Sequence, residues 1–347
     1  MNKIVREDIE WLIESGLPFE RLEGKNMLVA GANSFLAAYM VMTVLYYNEK
    51  IAKEPCIVTG LVRNMGKAET KFSEYLARKD LRLICGDVCS YIDYPESQDY
   101  IIHAASQASP KYYGVDPLGT MLPNITGTYN LLELSKRQHC KSFLYFSSSE
   151  VYGEPYQEGK SLDEKSFGFL DCLTLRACYA EGKRAGETLC RIYHEKYGVD
   201  VKVVRPFHTY GPGMDLDDGR VYADFVRNAV KGEDIVLNSD GSAVRAFCYI
   251  RDAVWGFFKV LFDGKSGEAY NIASDIDVLS VKELAEIIAS ICTGHDIKVV
   301  LNKTPQAGYI KSTVKAGVPD IKKASGLGFS PKVRAKEGFK KTIQSYL

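Results

Sequence analysis

The sequence predicts an α/β fold, a doubly wound parallel sheet carrying a smaller C-terminal α/β region. Three observations predict it. Short apolar runs alternate with stretches of helical periodicity from Lys25 onward; the first run leads straight into a glycine turn, Gly31-Ala32-Asn33-Ser34; and the rhythm loosens after Gly211-Pro212-Gly213. Strands that alternate with helices lie parallel, because each helix returns the chain to the same end of the sheet.

In chain order, Ile9, Leu12 and Ile13 stand at helical spacing, so residues 5–15 form a short helix packed on the main domain, in an extension ending at residue 24. The main domain, residues 25–205, opens with a strand at 27–29 and a helix at about 35–49. A strand at 57–62, a helix at about 67–78 and strands at 81–84 and 100–104 follow. A helix around 120–137, a strand at 142–146, a long helix at 177–197 and a strand at 201–204 complete the alternation. Residues 206–347 are mainly a substrate-binding region interleaved with the last strands of the main sheet, with strand-like pieces at 235–237, 246–250 and 269–271 and helical ones at 253–261 and 281–291. No repeat or Pro/Gly-rich linker marks a boundary.

Length and composition bound the function. A chain of 347 residues outgrows a single compact core and has room for a cofactor and a substrate together. Lys+Arg and Asp+Glu both number 44, which gives no reason to expect a nucleic acid or a membrane as partner. The nine cysteines are scattered through apolar runs and suit a reducing compartment. Cys85 and Cys89 are the one close pair, and with no second pair at ligand spacing no metal site is expected. With Lys3, Arg6, Glu7, Asp8 and Glu10 near the start, no secretory segment is expected there, and the expected location is the cytoplasm.

The chemistry is written in five places. Gly31 lets the first strand turn tightly, so that the next helix, entered through Asn33, Ser34, Phe35 and Leu36, aims its N–H groups at a pyrophosphate. The middle position of that turn is Ser34 where glycine is usual. At the end of the second strand stands Arg63 instead of the carboxylate that holds the ribose hydroxyls of NAD, which tilts the cofactor toward NADP. Asp87 and Val88, after the third strand, are adenine-side candidates. Further on, a strand ends in Ser147-Ser148-Ser149-Glu150, and Tyr179 and Lys183 follow four apart on one helical face. An ammonium beside a phenol lowers its pKa, as a tyrosine requires if it is to take a proton from a sugar hydroxyl.

With these motifs the chain resembles the extended short-chain dehydrogenases that act on nucleotide sugars, and in particular their UDP-glucuronate decarboxylase branch. The likeness runs from about Lys25 to the C-terminus. It rests on His103-Ala104-Ala105-Ser106-Gln107-Ala108-Ser109-Pro110, Ser147 to Gly153, Arg176 to Arg184, Thr209-Tyr210-Gly211-Pro212 with Asp218-Gly219-Arg220-Val221, Arg245-Ala246-Phe247 with Asp252, and Pro319-Asp320-Ile321-Lys322-Lys323. The resemblance implies a Rossmann-type sheet, a tightly held NAD (or NADP), a UDP-linked sugar as substrate and a homodimer joined through a four-helix bundle. It implies that Tyr179 is the base with Lys183 beside it, that Ser148 holds the sugar 4-hydroxyl, and that Glu150 handles protons at the ring. Ala104, Ala105, Ser106 and Pro206 would line the cofactor. Ser109, Pro110, Lys111, Asn124, His208, Arg220 and Val221 would follow the diphosphate and base, with Arg245 near the sugar or its phosphates. His208 departs from the family, which has Asn there.

Residue types also separate reactions. A 4,6-dehydratase carries an acid where this chain has Ser149, so loss of water lacks its proton donor. A plain 4-epimerase has no need of Glu150. Decarboxylation suits the set: oxidation at C4 creates a ketone β to the C6 carboxylate, carbon dioxide leaves, and the hydride returns. A cofactor recycled in place relaxes the choice between NAD and NADP. Epimerisation, dehydration, and a catalytically silent sensor that keeps the fold are the competing readings.

Overall fold

The computed structural model describes residues 1–92, 94, 96–155, 160–292, 296–302 and 317–347. One sheet of seven parallel strands organises it: β1 (Asn26–Ala30), β2 (Ile57–Val62), β3 (Leu81–Cys85), β4 (Tyr100–His103), β5 (Ser142–Phe146), β6 (Val201–Pro206) and β7 (Glu268–Ile272). Their spatial order is β7-β6-β5-β4-β1-β2-β3. The order reverses between β1 and β4, and a crevice opens there at the carboxyl ends of the strands.

The two-residue period of the strands sorts the core. Met27, Val29, Ile102, Leu144 and Val204 face one layer. Leu28, Ala30, Ile101, Phe143 and Val203 face the other. The first layer holds α1 (Lys3–Glu14), α2 (Phe35–Lys50), α3 (Met65–Lys71) and α8 (Ile250–Asp263); the second holds α5 (Thr128–Gln138) and α6 (Ala177–Tyr197). Helix α1 starts at the Asn2 cap and buries Val5, Ile9 and Leu12 against α2 and α8. Ile13 remains partly exposed.

Three elements differ from expectation for identifiable reasons. The helix expected over 67–78 begins at Met65, because Asn64 caps it, and stops at Lys71, where buried Phe72 turns the chain into a short 3-10 turn, Ser73–Tyr75. The helix expected over 120–137 is two, α4 (Pro117–Leu122) and α5, joined by a π turn at Pro123–Gly127. Proline cannot donate into a regular helix, and an extra residue in the turn accommodates it. The stretch 246–250 divides between two short strands, and Ile250 already opens α8.

Strand β7 lies beyond residue 206 yet pairs with β6, and α8 packs beneath it. Around that return the C-terminal part adds α7 (Val221–Lys231), α9 (Val281–Ile291) and short strand pairs such as Val244–Ala246 with Val278–Ser280. It stands over the crevice. No helix among the described residues is long and apolar enough to cross a membrane.

Candidate active site

The crevice contains a cavity of about 540 Å³ and, at its outer end, another of about 230 Å³; both are lined by Asn33, Ser34, Arg63, Lys67, Ala104 and Ser106. Gly31 forms the turn between them and the sheet. Its φ is +77°, and a Cβ there would come within 2.7 Å of the Ala105 Cα. The strand end and the loop after β4 thus approach so closely that only glycine fits. Ser34, by contrast, has φ −69° and ψ 159°, ordinary extended backbone, and serves as the N-cap residue of α2 without a capping bond from its hydroxyl. Serine is therefore unstrained where glycine was expected. Phe35 and Leu36 line the larger cavity, and Ala105 and Val88 the smaller. A cleft of this shape, with α2 pointing its N-terminus in, fits a dinucleotide.

At the deep end, the carboxyl end of β5 turns its serines in different directions. Buried Ser147 donates to Glu187 (2.5 Å), which pairs with Arg205 and belongs to the scaffold. Ser148 bonds Tyr179 and also accepts from the Glu150 N–H at 3.2 Å. Ser149 and Glu150 line the 540 Å³ cavity and also a third cavity of about 330 Å³ beside it.

Helix α6 carries Tyr179 and Lys183 on its inner face, both buried. The Lys183 Nζ donates to the Phe146 carbonyl at 2.5 Å and stands 5.7 Å from the Tyr179 ring centre. Burial lowers the Lys183 pKa to about 7. It raises that of Tyr179 to about 12, against the pull of Arg220 and the Ser148 hydrogen bond. Desolvation of the phenol thus dominates, and the lowering expected from Lys183 is not what sets its pKa. Tyr113 stacks on Tyr179, ring centres 5.3 Å apart and 15° from parallel, and fixes the phenol plane.

The outer wall is a clasp of two loops. Ser109 donates to the Asp218 carbonyl, Lys111 to the Asp217 carbonyl (2.7 Å), and Arg220 to the Ala108 carbonyl (2.7 Å). His208 lines both inner cavities with Nδ1 buried and unpartnered among the described residues, and desolvation beside Arg245 and Arg220 lowers its pKa to about 3. Pro206 is also on the wall, and Arg245 lines the 330 Å³ cavity.

Four expected residues are not brought to the wall. Asp87 turns its carboxylate back to the Cys89 N–H (2.8 Å). Asn124, wholly buried, donates to Ser106 Oγ at 3.1 Å from behind. Pro110 opens a 3-10 turn, and Val221 opens α7 behind Arg220. Conversely, sequence reading passed over Lys67, Tyr113 and Arg176 as functional. Arg176 lines the third cavity, lies 3.7 Å from Glu150 and covers the Tyr113 ring at 5.7 Å. It precedes Tyr179 by three residues, and that spacing alone was a signal that it shares the helix face.

A parallel sheet with a nucleotide-sized cleft at its reversal point, and a buried tyrosine and lysine one helical turn apart at the cleft's deep end, is the architecture of a short-chain dehydrogenase-type enzyme. Residues 27–273 match the NAD dependent epimerase/dehydratase family, and the chain belongs to it. Among curated relatives it is 34% identical to UDP-glucuronic acid decarboxylase 6 of Arabidopsis thaliana over 316 residues, 90% of this chain and 86% of that one. It is 32% identical to UDP-glucuronic acid decarboxylase 1 of Danio rerio, over 93% of this chain and 72% of the relative. The fold is also that of UDP-glucuronic acid 4-epimerase from Bacillus cereus, solved with UDP-glucuronic acid and NAD: TM-score 0.77 at 22% identity, covering 92% of this chain and 98% of that one.

Proposed function

We propose that the chain decarboxylates a UDP-linked uronic acid through a 4-keto intermediate. The observation that carries the reading is the cavity next to the Tyr179 site: two guanidinium groups, Arg176 and Arg245, line it alongside Glu150, Glu154 and Asp171, Ser149 and Glu150 form its shared wall, and no acid stands at position 149. A sugar with C4 at Tyr179 would direct C6 into that cavity, where guanidinium groups suit a carboxylate.

A bound nicotinamide dinucleotide supplies a hydride acceptor for C4 and a positive charge beside the phenol. Tyr179 Oη, ionised in that field, takes the proton of the 4-hydroxyl while Ser148 holds the oxygen. The C5–C6 bond then breaks, carbon dioxide leaves, and the bond pair passes into the C4 ketone as an enolate. C5 takes a proton through Glu150, C4 recovers its hydride, and Tyr179 returns the hydroxyl proton. Arg220 and His208 line the path toward the diphosphate, and Asn124 holds Ser106 from behind.

The same reading takes the chain as a homodimer. Leu118 and Leu122 on α4, Tyr129 on α5 and Ile192 on α6 are large exposed apolar side chains on helices that pack side by side. A second copy would cover them as a four-helix bundle. With all nine cysteines free, the reducing cytoplasm is the compartment we assign.

The test is incubation of purified protein with UDP-glucuronate, following products by mass. Loss of carbon dioxide is the expected result, and Tyr179→Phe should lower turnover ~10²–10⁴-fold. An unchanged mass with altered retention would replace decarboxylation by epimerisation. Loss of water would overturn the argument from Ser149.

A further inference from the structure

Lys183 can serve the Tyr179 phenol electrostatically only while its amine is protonated. Its side chain is buried, and among the described residues no carboxylate forms a salt bridge with it. We propose that Tyr145, on β5, is a positioning residue of the site: its ring holds the Lys183 ammonium, charged, beside Tyr179. The proposal rests on the proposed reaction only in that Tyr179 is the base Lys183 serves.

The pleat of β5 decides where this ring goes. Leu144 and Phe146 face the layer of α2 and α8, whereas Phe143 and Tyr145 face that of α5 and α6. Register holds Tyr145 between His103 of β4 and Val203 of β6. Gly186, three residues after Lys183 on the same helical face, leaves the slot that admits the phenol: a Cβ there would lie 2.2 Å from Tyr145 Oη. The Lys183 Nζ then stands 5.1 Å from the Tyr145 ring centre and 5.7 Å from that of Tyr179, with both rings buried.

The other groups around the ammonium support its charge weakly. The Phe146 carbonyl accepts from it. Glu187, one turn further along α6, favours the charged amine from a distance, but its oxygens are taken by Arg205 and Ser147. Burial keeps the Cys190 thiol protonated. His103 leans on the Tyr145 ring at 5.5 Å, and burial lowers its pKa to about 3, so it is neutral at working pH. Against these, loss of water pulls the Lys183 pKa down to about 7. An aromatic face attracts a cation through its quadrupole without carrying charge itself, and the attraction is largest where water is excluded. Tyr145 thus opposes the deprotonation that burial favours.

The experiment follows Lys183 by magnetic resonance in full-length protein as purified, its lysines isotopically labelled at Cε, with the resonance assigned by its loss in Lys183→Met. Tyr145→Met, which fills the space without an aromatic face, should lower the Lys183 pKa by ~1 unit, the size of a buried cation–π contact. Tyr145→Leu should do the same, so that one misfolded variant does not decide the matter. Tyr145→Phe keeps the ring and should restore the parent value to within ~0.3 units. With UDP-glucuronate as substrate, the alkaline limb of kcat should move down in Tyr145→Met by as much as the titration does and return in Tyr145→Phe, with KM changed less than about threefold. An unmoved titration in the Met and Leu variants overturns the proposal. So does a Phe variant that falls as far as they do, or an active Met variant whose alkaline limb stays in place. The titration needs no substrate, so failure of the proposed decarboxylation would leave its result standing.

Discussion

At the residue scale, the site keeps an amine where water cannot reach it, and stability bears the cost. The Lys183 pKa falls from 10.5 in the unfolded chain to about 7 in the fold, with burial as the cause. A group depressed in this way contributes stability above its unfolded pKa and loses it as pH falls. The destabilisation is therefore absent above pH 10.5, grows as pH falls, and is complete near pH 7. Lys183→Met should raise the stability of the unliganded protein by ~1–3 kcal/mol at pH 7 and by much less at pH 10. Turnover should drop ~10²–10⁴-fold in the same variant. Urea unfolding at the two pH values checks it, and a variant less stable than the parent at pH 7 would show that Lys183 contributes more by its bond to Phe146 than its burial costs.

At the element scale, the register of α6 on the sheet determines where the phenol stands. Gly186, seven residues after Tyr179 and so on the same face, touches the layer beneath: a Cβ there would lie 2.2 Å from Tyr145 Oη and 2.7 Å from the Asn124 carbonyl. Gly186→Ala should lift the helix, cost ~1–3 kcal/mol of stability, and lower turnover more than it weakens cofactor binding. Unchanged unfolding midpoint and unchanged kcat together would show that the helix has slack. This dependence marks the limit of what the sequence made legible. Periodicity reports which face of a segment is buried, so the sheet, α2 and α6 could be read, and so could Tyr179, Lys183 and the serines at the end of β5. It does not report what lies across a cavity. Tyr113 stacks on Tyr179 from a loop 66 residues upstream of it, and Arg176 acquires meaning only beside Glu150. The π turn was hidden because its residues keep nearly helical periodicity on both sides. The Ser34 turn looked damaged because the pattern expects glycine there, whereas the backbone requires left-handed φ only at Gly31.

At the scale of the whole molecule, helix α6 and the exposed apolar side chains belong to one unit. Helix α6 packs on α4 and α5, and these carry Leu118 (66% exposed), Leu122 (41%) and Tyr129 (49%), while α6 itself exposes Ile192 (43%). Leu118 and Leu122 lie one turn apart, and Tyr129 continues the stripe across the π turn. Scattered exposed leucines need no explanation, but large apolar groups gathered on packed neighbouring helices favour a partner surface. If a second copy covers them, it also clamps α6, so assembly and activity should fail together. Leu118→Glu with Leu122→Glu places two charges in the bundle and leaves the buried face of α4 untouched. Light scattering should find the unaltered chain dimeric and the variant monomeric, with far-UV circular dichroism unchanged and turnover at least ~10-fold lower, because a displacement of ~1 Å at the reacting atoms is enough for such a loss. A monomeric unaltered chain would remove the bundle altogether. A monomeric variant of full activity would retain the bundle and deny its hold on Tyr179.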